Sequence, residues 1–247
     1  MNARVLFLAA AILLPLAADG GDRHLFILSG QSNMAGLDPK RSFLPELEKL
    51  LPDAEIRHVK FAKGGMPIRR WVSDFDEILL AMHGEQLKER GFTGFNDPAP
   101  FYDEVVKLAR EAIAEKKPDT ITFLWMQGER DANAGLHTVY DVALRNLIAK
   151  LRKDLDAPEM NVVIGRLSDH SAKPSWSGVR QAQVKVAAED PRGAWVDTDD
   201  TNNKVKDGKP HNDLHYTREG YDLFGRRLAR QAVRLIEGKE PAANGRP

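Results

Sequence analysis

Five short apolar runs, separated by stretches of helical spacing, do most to limit what this chain can fold into. They are residues 24–30, 55–61, 120–126, 161–166 and 193–198. Several, such as HLFILSG at 24–30 and TITFLWM at 120–126, are apolar enough for burial on both faces, as strands inside a covered parallel sheet are. Between them, 100–117, 136–155 and 177–190 place apolar residues at helical spacing. The stretch 217–238 carries Tyr221, Phe224, Leu228, Ala232, Leu235 and Ile236 on one stripe, with Thr217 placed to cap its start and Gly238 its end. This β–α alternation predicts an α/β fold, a mainly parallel sheet with helices on both faces. No repeat or low-complexity linker divides it, so 22–238 reads as one domain followed by a frayed, flexible tail at 239–247. Residues 72–99 are less regular: a helix, then a Gly/Asn/Pro-rich loop. Such an excursion either shapes a site at the sheet's carboxyl edge or is a tolerated surface insertion.

The first twenty residues differ in character from the rest. Arg4 precedes a nearly wholly apolar run from Val5 to Ala17, and LAAD offers small residues for cleavage near Ala18. That is the layout of a secretory signal peptide over 1–18, and the run is short for a spanning helix of about 20 residues. An uncleaved membrane anchor is the alternative. The mature chain is therefore expected in the periplasm or outside the cell, with no membrane association once the signal is removed. With no cysteine in the chain, there is neither a lipidation site nor a disulfide framework. Its 36 basic and 36 acidic residues cancel, so no net field favours nucleic acid, and no nucleic-acid partner is expected.

Chemistry can be placed at four points, all where predicted strands end. In SGQSNMAG, Gly30 and Gly36 flank Ser32 directly after the first strand. A turn there presents the hydroxyl at the sheet's carboxyl edge, beside helix N–H groups that favour negative charge. Ser32 is thus a nucleophile or a helix cap, and as a nucleophile it needs a base. In HNDLHYTREG, His215 immediately precedes the last helix, with Asp213 and Asn212 beside it. A serine early in the chain and a histidine late, with an acid next to it, is a workable triad order. A zinc reading of His211, Asp213 and His215 lacks the further close pair that four-ligand sites use, and no metal is expected. In LWMQGERDA, the Gln127 amide has N–H donors for a developing oxyanion, while Glu129 suits hydrogen bonds that tie down loops. In AKGGMPIRRW, a Gly64 or Gly65 N–H could also serve an oxyanion, and a tight turn would equally explain the pair.

Taken together and in this order, GQSNMAG, KGGMPIRRW, WMQGERDA and DLHYTREGY resemble the SGNH hydrolase superfamily, in its sialate O-acetylesterase-like branch of carbohydrate acetylesterases. The likeness runs from about residue 24 to 237. It implies a flavodoxin-like three-layer α/β/α sandwich and metal-free, cofactor-free removal of acetyl groups from sugar hydroxyls. By the same resemblance Ser32 is the nucleophile and His215 the base. The Ser32 N–H, a Gly64 or Gly65 N–H and the Gln127 side chain form the oxyanion hole. Gln31, Asn33 and Glu129 belong with them as candidate oxyanion or substrate-binding residues.

One departure stands out. The family's aspartate three residues before the histidine is replaced here by Asn212, and Asp213 lies two before His215. Asp213 is the expected orienter of the His215 ring, with Asn212 as the alternative through its carbonyl. Met66 stands where the family often has a small hydroxyl residue. Trp71, Trp176 and Tyr216 are either sugar-facing aromatics or core residues. The expected function is a secreted serine esterase acting through an acyl-enzyme on O-acetylated carbohydrates, sialate or plant polysaccharide. A weak or silent carbohydrate-binding protein on the same fold is one alternative. A lipase- or thioesterase-like hydrolase is the other.

Overall fold

A computed structural model describes residues 21–247; the signal-peptide reading of 1–18 lies outside the described residues. Five strands form one parallel sheet: β1 (Arg23–Gly30), β2 (Glu55–Ala62), β3 (Thr120–Met126), β4 (Asn161–Gly165) and β5 (Gly193–Val196), in the order β2-β1-β3-β4-β5. The apolar runs decide that order. Leu25 to Leu28 of β1, Phe123 to Met126 of β3 and Val162 to Ile164 of β4 are buried, so these strands lie inside. All of β2 is half-buried, as an edge strand should be.

Among the described residues eight α-helices surround the sheet: α1 (Ser32–Gly36), α2 (Phe43–Leu50), α3 (Phe75–Glu89), α4 (Pro100–Glu115), α5 (Glu129–Asn133), α6 (His137–Asp154), α7 (Pro174–Glu189) and α8 (Arg218–Ile236). α2 and α8 pack together on one face, while α4, α6 and α7 form the other layer. The chain steps from β1 outward to β2, then returns across β1 to β3 and onward. The carboxyl ends of β1 and β3 thus meet at the point where strand order reverses, which is where open α/β sheets bind ligands. The α/β/α architecture is as expected. Among the described residues, no helix is long and apolar enough to cross a membrane.

Both expected caps of α8 are present: Thr217 accepts from the Gly220 N–H at 2.8 Å, and Gly238 sits at φ 66° beyond the helix end. The stretch 72–99 resolves into α3, kinked at His83, and a loop. That loop is anchored by Asp97, which pairs with Arg70 at 2.8 Å and Arg69 at 3.4 Å.

Besides the short helices α2 and α5, two features were not expected. A hairpin, β6 (Asn203–Lys206) and β7 (Lys209–Asn212), rises just before His215 and turns through Asp207 and Gly208, both at positive φ. The tail is not frayed as its composition suggested. The Asp197 N–H donates to the Gly245 carbonyl at 2.8 Å, Arg246 pairs with Asp197 at 2.8 Å, and the Ala242 N–H donates to Gln231 at 3.0 Å.

Candidate active site

Gly30 ends β1 at φ 145°, and a Cβ there would overlap the Met126 carbonyl oxygen at the end of β3. Only glycine allows this approach, and the Gln31 N–H then donates to the Met126 carbonyl at 2.8 Å. The chain turns at once into α1, whose first residue is the half-buried Ser32. As the opening residue of a helix, Ser32 has no intrahelical partner for its N–H. Across from it runs the exposed glycine pair: a Cβ on Gly64 would lie 3.7 Å from the Ser32 Cβ. Gly64 is therefore the glycine whose backbone faces the serine. Gly65, at φ 72°, makes the turn and has open space around its Cα.

Gln127 does not reach this opening. It is fully buried. Its Nε2 donates to Asp131 Oδ2 at 2.5 Å, to the Met66 carbonyl at 3.1 Å and to Gln31 Oε1 at 3.2 Å. Its Oε1 accepts from the Tyr140 hydroxyl at 3.1 Å. The amide has no donor left for an oxyanion, which corrects the expectation from the motif. It fixes the Gly64–Gly65 loop through Met66 instead. Gln31 has a similar job, its Oε1 accepting from the Gly128 and Arg130 N–H groups at 3.4 and 3.3 Å. Gln31 thereby ties the start of α1 to the start of α5.

Asn33 joins the serine and histidine segments. Its Nδ2 donates to the Leu214 carbonyl at 3.1 Å, and its Oδ1 accepts from the Tyr216 N–H at 3.4 Å. The residues on either side of His215 are therefore held by the residue next to Ser32. The Tyr221 hydroxyl donates to the same Oδ1 at 3.2 Å, and Asn33 Nδ2 also donates to Glu129 Oε1 at 2.9 Å. Asn33 and Glu129 are buried. They do not face substrate as binding residues, contrary to the expectation that grouped them with the oxyanion donors.

The carboxylates behind the site are pushed toward neutrality. Burial raises Glu129 to about 7 and Asp131 to about 6, against the opposing help of their hydrogen-bond donors. Asp131 Oδ2 accepts from Gln127 and from the Ile68 N–H at 3.0 Å. It holds the segment after the glycine pair.

His215 is exposed, and its ring makes no hydrogen bond among the described residues. Asp213 does not orient it. One carboxylate oxygen accepts from the His215 backbone N–H at 3.2 Å, and the other pairs with Lys204 of the hairpin at 2.8 Å. The Lys204 hydrogen bond pulls the Asp213 carboxyl down to about 2. Asn212 is also committed elsewhere: Nδ2 donates to Asp169 Oδ1 at 2.8 Å and Oδ1 accepts from buried Asn202. Both candidates for ring orienter are thus diverted, Asp213 by Lys204 of the hairpin and Asn212 by Asp169 and Asn202 outside it. Asn202 and Lys204 were not singled out in the sequence, because nothing local marks a polar residue that acts across a turn. Trp71, Trp176 and Tyr216 all belong to the core. The Trp71 and Trp176 N–H groups donate to Ser29 Oγ at 3.1 Å and to the Ser168 carbonyl at 2.7 Å.

A family model described as carbohydrate esterase, sialic acid-specific acetylesterase, matches residues 35–234. Among solved structures, a protein from Arabidopsis thaliana superposes with a TM-score of 0.60 at 20% identity, covering 86% of this chain and 98% of that one. A carbohydrate acetylesterase from Xanthomonas citri gives 0.59 at 16% identity, covering 89% of this chain and 57% of that one. At these identities the likeness is one of fold alone. No curated protein sequence matches the chain.

Proposed function

The chain belongs to the sialic acid-specific acetylesterase family of carbohydrate esterases, and from that premise we propose that it removes O-acetyl groups from carbohydrates through an acyl-enzyme on Ser32. Ser32 Oγ attacks the acetyl carbonyl carbon while His215 takes its proton. The N–H groups of Ser32 and Gly64 meet the tetrahedral oxyanion, a role supported for Gly64 by its place across from Ser32. Collapse of the intermediate breaks the ester bond, and the sugar oxygen leaves with the proton from His215. Water, deprotonated by the same histidine, then attacks the acetyl-serine; the bond to Ser32 Oγ breaks, His215 returns the proton to that oxygen, and acetic acid is released.

The observation that carries this reading is the Asn33 clamp: the side chain adjacent to Ser32 grips the backbone on both sides of His215. Two distant segments of sequence are held as one unit at the strand ends. With Asp213 held by Lys204, the base is less efficient than a full triad supplies, since that carboxylate does not stabilise the imidazolium that forms. The leader layout supports export, so the glycan would be met outside the cytoplasm, whether sialylated or a plant polysaccharide.

Acetate release from acetylated sugars by the mature protein tests the proposal. Activity that disappears in Ser32→Ala supports it. Equal inactivity of wild type and Ser32→Ala, with retained sugar binding, would replace it with the silent carbohydrate-binding reading.

A further inference from the structure

Asn33 has four hydrogen-bonding capacities, and all four are used: two donors, to Glu129 and the Leu214 carbonyl, and an oxygen that accepts from the Tyr216 N–H and the Tyr221 hydroxyl. An amide can be turned over, exchanging its oxygen and nitrogen at almost no cost in shape. Turned over here, it would set its NH2 against the Tyr216 N–H and its oxygen against the Leu214 carbonyl. The clamp on His215 would open. The two backbone groups oppose the turned-over form, and the group behind the amide opposes it as well. Glu129 Oε1, only an acceptor when ionised, stands 2.9 Å from Nδ2 and rejects the flipped oxygen.

We infer that Glu129 is a positioning residue of the hydrolysis: it fixes the orientation of Asn33, and through Asn33 the backbone on both sides of His215. Glu129 touches neither substrate nor the reacting atoms. The residue is 2% exposed, and its second carboxyl oxygen, Oε2, is buried without a hydrogen-bond partner among the described residues. A buried carboxyl in that condition costs stability. The placement is explained if precision at His215 repays it. The same logic separates Glu129 from Asp131 on the same helix, which acts on the other half of the site through the Ile68 N–H and Gln127.

This inference rests on Ser32 and His215 being the catalytic pair, so the experiment reads both. kcat and KM for an acetyl ester are measured on the full chain for wild type, Ser32→Ala, Glu129→Ala, Glu129→Gln, Asn33→Asp and the double variant Asn33→Asp with Glu129→Gln. A thermal unfolding midpoint is taken for each. Glu129→Ala should lower kcat by about 30- to 100-fold with KM nearly unchanged, the scale of a small misplacement of a catalytic group. Glu129→Gln still offers an acceptor and should keep about a third of kcat. Asn33→Asp sets three acceptors against one another. In the double variant the introduced glutamine amide can donate to the new carboxylate, and kcat should recover at least about ten-fold over Asn33→Asp alone.

A folded Glu129→Ala with kcat within about three-fold of wild type would overturn the inference. If Glu129→Ala does not fold, the exchange pair decides, and absence of recovery in the double variant overturns the inference in its place. Wild type no more active than Ser32→Ala would instead sink the esterase reading beneath it.

Discussion

Replacing Asp213 with asparagine separates two accounts of the histidine. A triad carboxylate orients the ring and stabilises the imidazolium, and its loss costs about 10⁴ in turnover even with geometry kept. Here Asp213 makes two other contacts, the Lys204 pair at 2.8 Å and the His215 backbone N–H at 3.2 Å. The pair is partly solvated, with side chains 34% and 31% exposed, so it contributes about 0.2–1 kcal/mol. An asparagine oxygen can still accept from the His215 N–H. Removing the charge should therefore lower kcat/KM less than about ten-fold, the equivalent of roughly 1.4 kcal/mol. The assay is steady-state acetate release by wild type and Asp213→Asn from pH 5 to 9. A loss approaching 10⁴ would refute the reasoning, because it would mean that the carboxylate leaves Lys204 for the ring during turnover. The pH dependence has a definite sign. Since the folded pKa lies at about 2, below the ordinary 3.8, the small stability from this pair is complete above about pH 4 and lost as pH falls toward 2.

Glu129 and Asp131 act with the opposite sign: burial raises them to about 7 and about 6, so the folded state holds protons that the unfolded chain has released. Stability should fall as pH rises from about 4.5 to 7, and Glu129→Gln should flatten that slope in thermal melts across the range; an unchanged slope would contradict it. The Asp131 charge adds to burial in raising Glu129, while Tyr216 and Tyr221, pushed up by burial, stay neutral throughout this range. Gln127→Leu should strip buried Asp131 of its side-chain donor, leaving only the Ile68 N–H, and cost about 1–3 kcal/mol in denaturant unfolding. A fall of about 10² or more in kcat at unchanged stability would restore Gln127 as an oxyanion donor. Gly30→Ala would force a Cβ into the Met126 carbonyl at φ 145°, and should yield insoluble protein or a loss of more than about 3 kcal/mol. A soluble, normally stable Gly30→Ala would show that β1 and β3 can separate there.

The sheet was legible because burial on both faces writes itself into composition: β1, β3 and β4 are apolar almost throughout, and β2 is the mixed run that became the edge. α1 was legible only as a helix start at Ser32, and the short α5 escaped altogether, because five residues carry no period. The hairpin was missed although Asp207-Gly208 is the dipeptide that a two-residue turn with positive φ prefers. Its polar, Lys-rich flanks hid it. That the Ser32, Gly64–Gly65 and His215 segments meet at the strand ends was readable from motif and place, whereas the direction of a side chain was not. Gln127 is an oxyanion donor on paper and a buried tie in the fold. Asp213 is turned from the ring by Lys204, nine positions earlier, on a strand that had not been seen. The tail looked loose because its anchors, Asp197 and Gln231, lie far from it in sequence.

The central claim is a covalent acetyl-enzyme on Ser32. Wild type mixed with an acetyl ester, quenched in acid within the first turnovers and digested, should yield the peptide containing Ser32 with one added acetyl group. Ser32→Ala should give no adduct and no acetate. Acetate released by wild type with no adduct, and at the same rate by Ser32→Ala, would contradict the account.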